Sequence, residues 1–216
     1  MDSVKRRSEA LFPVFLSILL MVSLQIVITD RLTIGPKYLL AGLELTLLIG
    51  AFLAHSTGKP SLHLVKRYFA FLLLMVVTAT NIGSLVLVVQ ELVGGGSIPG
   101  HTLLLSALAI YLTNILIFGL WYWEMDSPGL TGFIEPVSGP DFLFPQMTAP
   151  QVHPACKDFS PLFYDYLYVS VTNATAFSPT DALPLTHRAK FLMAIQSLTS
   201  LVTIALVAAR AVNILN

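Results

Sequence analysis

Residues 168–186 read YVSVTNATAFSPTDALPLT, a run of Thr, Asn, Ser, Pro and Asp set between two apolar segments. Just before it, SPLFYDYLYVSV at 160–171 has Pro161 suited to a first helical position and Ser160 suited to the N-cap. Phe163, Tyr166, Leu167 and Val171 follow at helical spacing. The predicted helix is about a dozen residues long, too short to span a bilayer. TNATAFSPTD and ALPLTHRAK come next, then a long apolar helix. Short helix, irregular polar segment and long helix is the order of a re-entrant loop. Such backbone survives at membrane depth only where protein buries it or it lines a water-filled cavity.

The rest of the chain agrees with a membrane setting. Of 216 residues, 55% are hydrophobic and 11% charged, and the mean hydropathy is +0.77. Soluble domains carry about 25% charged residues, so the composition reads as an integral membrane protein. The formal net charge is zero, which argues against nucleic acid as a partner. Cys156 is the single cysteine, so neither an intramolecular disulfide nor a cysteine metal cluster can form. The five histidines lack metal-ligand spacing, and the glycines at 94–96 lack the Lys-Ser/Thr of a phosphate loop. No catalytic constellation or cofactor motif is present, and the expectation is a protein that is not an enzyme. Asn173-Ala-Thr175 matches the glycosylation pattern, but in the segment expected to be re-entrant.

Five segments are apolar enough to cross a bilayer: Leu11–Thr29, Tyr38–Ala54, Tyr68–Val89, Leu103–Trp123 and Lys190–Asn213. Lys5, Arg6 and Arg7 precede the first, which is longer than a signal-peptide core and reads as a retained span. Pro36, Pro60 and Pro99 sit in the links. WYWEMD at 121–126 places aromatic residues where an interfacial belt belongs. The chain therefore divides into a four-helix transmembrane region at 1–123, a Pro-rich interfacial loop at 124–159, and a pore-helix unit with the final span at 160–216. Within that loop PDFLFPQM is apolar enough to pack on the membrane domain or lie at its interface.

Polar residues inside the spans are the candidates for function. Gln196, Thr199, Thr203 and Arg210 form one stripe, with Ser197 and Ser200 beside it. That stripe either lines a cavity or joins helices, since both uses suit these residues. Glu44 and Arg210 are ionisable groups expected at similar depth, and an ion pair between them is one reading. Asn81 and Asn114 read as interhelical hydrogen bonds.

Residues 164–210 resemble the pore region of tetrameric potassium channels, where a pore helix ends in T-T-V-G-Y-G-D. Thr175 and Ala176 take the two threonine places, Phe177, Ser178, Pro179 and Thr180 the V-G-Y-G places, and Asp181 the Asp place. The layout is also similar to uncharacterised bacterial multi-pass membrane proteins with a degenerate filter. The five apolar segments together with this resemblance give the expected fold, an all-α membrane protein with about five transmembrane helices plus a re-entrant pore-type half-helix, in a bacterial plasma membrane. The resemblance implies an ion pathway at Thr172, Thr175, Phe177, Ser178, Pro179, Thr180 and Asp181, with Gln196, Thr199 and Thr203 lining a cavity below. Its partners are the lipid bilayer, a monovalent cation and further copies of the chain; it brings no cofactor. Ser178 and Thr180 stand where the family has two glycines, and Pro179 fixes φ between them. A hydroxyl-rich vestibule is expected there, not four carbonyl rings.

The alternative function is a non-transporting multi-pass scaffold, in which FSPTD is a tight turn capping the last helix. Charge bears on orientation. With five spans, one face carries nine Lys/Arg and the other three, Arg31, Lys37 and Arg210. The positive-inside rule places the nine, and with them the FSPTD loop, in the cytoplasm. Potassium channels keep their filter on the opposite side.

Overall fold

The computed structural model describes residues 2–28, 30–33, 63–95, 97–126, 139–149, 151–157, 159–175 and 182–215, with isolated positions between 35 and 50. The fold is helical: α1 Asp2–Val27, α2 His63–Val93, α3 Gly100–Asp126, α4 Pro145–Thr148, α5 Phe163–Thr175 and α6 His187–Leu215. Three of these helices, α2, α3 and α6, are long and apolar enough to cross a membrane. They contain the third, fourth and fifth spans expected from sequence. The apolar part of α1, Phe12–Val27, is shorter. The second expected span, Tyr38–Ala54, lies largely outside the described residues.

Helix α3 is the centre of the bundle. It touches α1, α2, α5 and α6, and 72% of its apolar window is buried against 28% for α6. The main core joins Val14, Ile18 and Met21 of α1, Leu73, Leu74 and Val77 of α2, and the 116–125 stretch of α3. A second core lies at the other end. There Ile28, just past α1, and Leu32, in the 3-10 turn Asp30–Leu32, meet Val88, Ile98, Leu103 and Ile110. Between α2 and α3 the Trp121 indole donates to Thr78 Oγ1 at 2.9 Å and stacks on Phe71 at 5.6 Å. Asn81 Nδ2 donates to the Ile110 carbonyl at 3.3 Å, and Asn114 bonds across to α6, so both asparagines join helices.

The apolar residues of PDFLFPQM fold back onto the bundle. Phe142 and Phe144 are buried in the main core with Phe163 and Tyr166 of α5. Phe142 packs against Tyr122 at 5.2 Å, and Phe144 meets Tyr166 edge-on at 5.4 Å. Strand β1, Phe142–Leu143, pairs antiparallel with β2, Leu183–Pro184. This two-residue ladder brings the chain just before α6 beside the chain that leaves α3.

Helix α5 lies along α3 in the antiparallel sense. Phe163 packs on Trp123 at 5.5 Å, Leu167 lies at Gly119, and Ser170 reaches the Ile115 carbonyl. Gly119 permits this approach: a Cβ there would stand 3.3 Å from the Leu167 Cα. Small residues at helix contacts let backbones come close. Gly119→Ala is therefore expected to cost about 1 kcal/mol, and Gly119→Leu to force α5 off α3 at a cost of about 3 kcal/mol or more. Thermal unfolding of the purified variants in detergent checks this, and an unchanged Gly119→Leu transition would refute the contact.

Candidate functional site

The sequence places α5 at Ser160–Val171, but the helix begins at Phe163 and runs to Thr175. Asp165 explains the later start. Its Oδ2 accepts the Leu162 N–H at 2.7 Å, so the side chain closes the first turn in place of Ser160. Burial pushes the Asp165 carboxyl above its ordinary range.

Below that turn, polar side chains from three helices converge. Gln196 of α6 has no exposed surface. Its Nε2 donates to Ser170 Oγ at 2.6 Å and to the Ser170 carbonyl at 2.9 Å. Its Oε1 accepts the Tyr122 phenol at 2.6 Å and Asn173 Nδ2 at 2.8 Å. Ser170 passes its own hydroxyl to the Ile115 carbonyl at 2.6 Å. Asn173 Nδ2 also donates to the Met193 carbonyl at 3.0 Å, and its Oδ1 accepts Ser197 Oγ at 3.0 Å. Asn114 donates to Ser200 Oγ at 2.9 Å. Every polar atom of the Gln196 amide is thus used, as a buried amide in an apolar interior requires.

A second cluster holds the upper end. Asp141, with 1% of its side chain exposed, accepts Arg188 Nε at 2.8 Å. It also accepts the Thr186 hydroxyl, and its carbonyl accepts Leu185 N–H at 2.8 Å. Asp126, the last residue of α3, accepts the Asp141 N–H, the Phe142 N–H at 3.4 Å and the Tyr166 phenol at 2.7 Å. Burial, then the Asp126 charge, pushes the Tyr166 phenol upward, so it stays a neutral donor to that carboxylate. α5 is held at its start by this clasp and at its end by the Gln196 network.

The residues expected to form a pathway fall out as follows. Thr172 and Thr175 lie on the last turns of α5, and each hydroxyl donates to carbonyls of its own helix at 2.9–3.2 Å. Phe177, Ser178, Pro179, Thr180 and Asp181 lie outside the described residues, as does Glu44. Gln196, Thr199 and Thr203 are buried. Thr199 Oγ1 donates to the Ile195 carbonyl at 2.9 Å and Thr203 Oγ1 to the Thr199 carbonyl at 2.7 Å. Arg210 ends the apolar part of α6, against Gly100. The nitrogen that glycosylation of Asn173 would modify is committed to Gln196 and Met193. Among the described residues, no three His, Cys, Asp or Glu side chains gather to hold a metal.

Sequence reasoning missed Tyr122, Ser170 and Asn173 as partners of Gln196, and missed the whole Asp126–Asp141–Arg188 clasp. A signal existed for the first group: Tyr166, Ser170 and Asn173 share one face at helical spacing. No family model, curated protein or solved structure matches this chain.

Gln196→Leu leaves Ser170, Asn173 and Tyr122 without this partner. It is expected to lower stability by about 1–3 kcal/mol, since interhelical bonds in lipid are worth about 0.6 kcal/mol each on average. Thr203→Val, which breaks only a bond within α6, should stay within about 0.5 kcal/mol. Denaturation in detergent compares the two; equal effects would deny the network its anchoring role.

The clasp gives an asymmetric expectation. Arg188→Ala leaves Asp141 buried and charged, whereas Asp141→Asn keeps the shape and removes the charge. The first should cost about 1–3 kcal/mol and the second less, the range being lowered because Arg188 is 44% exposed. Measured melting of the two variants decides; a larger loss for Asp141→Asn would contradict the reading.

Proposed function

We propose that α3, α5 and α6 form a pore-loop unit, and that the protein is a channel-like membrane protein passing a monovalent cation through an oligomeric pore. The observation that carries this is the path of α5. It runs inward along α3 from Trp123 to Ile115 and is fixed to Gln196, nine residues into α6. At about 1.5 Å per residue, that is roughly 14 Å below the clasp. The described chain resumes at Ala182, beside β2 and back at the level of Asp141. Six residues separate Thr175 from Ala182, and an extended chain of that length reaches about 20 Å. A re-entrant half-helix is thus within the reach of the connection.

Two further points support the reading. The C-terminal end of α5 carries the negative end of its helix dipole, aimed at mid-bundle, where it favours cations. Leu32 and His63 also lie at opposite ends of the bundle. Leu32 shares a core with Val88 and Ile98, whereas α2 begins at the end where α3 finishes. The thirty residues between Leu32 and His63 are ample for one more crossing, which makes five. A single α5–α6 hairpin cannot surround an ion path. Tyr164, Tyr168 and Val171 of α5 and Phe191, Leu198 and Leu201 of α6 are exposed, available to neighbouring copies. The narrow segment is then 175–181, with Asp181 at its mouth. The clasp end bears Arg188 and Lys190 and faces the cytoplasm of a bacterial plasma membrane.

A second reading, a non-transporting scaffold, is favoured by one specific observation. Gln196 spends its amide on α3 and α5, and Thr199 and Thr203 donate within α6 itself, so these polar groups of α6 are used inside the chain.

Flux separates the two. Purified protein in liposomes is expected to pass potassium or sodium, and Asp181→Asn to reduce that flux about tenfold. Absent flux, or flux untouched by both Asp181→Asn and Thr175→Ala, removes the pore reading and leaves the scaffold.

A further inference from the structure

No further inference is drawn: the strongest candidate, the buried Oδ2 of Asp141 in the clasp that joins the end of α3 to the start of α6, which has no hydrogen-bond partner among the described residues, belongs to the site already described, and Arg188 meets the charge of the same carboxylate.

Discussion

A primary amide at position 196 sits with no exposed surface inside an apolar bundle. In such surroundings an unpaired amide costs several kcal/mol, while a paired one contributes little. The asymmetry makes Gln196 a constraint more than a source of stability. Ser170 and Asn173 must present their polar groups to it, and Tyr122 must point inward from α3. Those demands fix the rotation of α5 about its axis. They also fix its depth, because a shift by one turn would break the three bonds between α5 and Gln196 together.

The upper clasp answers a different need. The chain leaving α3 must return to start α5 and α6, and its aromatic residues must leave water. Phe142 and Phe144 supply the burial, but burial alone does not set register. Asp126 and Asp141 do so, by accepting backbone N–H groups and the Tyr166, Thr186 and Arg188 side chains in one place. The Asp126 carboxylate accepts three of these groups and that of Asp141 two, and among the described residues Asp141 Oδ2 has no partner. The result is a half-length helix held at both ends, unlike α6, which is packed along one side only.

The three long helices were legible because about 20 apolar residues in a row have few other uses. Asn81 and Asn114 were legible as helix joins because an amide in an apolar span needs a partner. The start of α5 was misplaced because Ser160 and Asp165 both suit the first turn, and sequence does not say which one closes it. Gln196 was harder still. Periodicity shows that Gln196, Thr199 and Thr203 share a face, but not whether that face meets water or another helix. Asn173 carried a modification pattern that drew attention from its simpler role. The clasp was hidden for a topological reason: Asp126, Asp141 and Arg188 are brought together by a β1–β2 pair of only two residues each, too short to leave a pattern.

The use of the polar stripe constrains any pore this chain builds. Thr172, Thr175, Thr199 and Thr203 donate to their own helices, and Gln196 has no free polar atom. The exposed face of α6 from Phe191 to Ala209 is apolar throughout. A path along α6 would therefore have hydrophobic walls, and it would pass or block water by width and not by hydroxyl lining. Attraction for a cation would have to come from the dipole end of α5 and from Asp181. Selectivity would then rest on a short segment above a dry wall, an arrangement in which widening by a single residue on α6 changes conduction more than removing any buried hydroxyl.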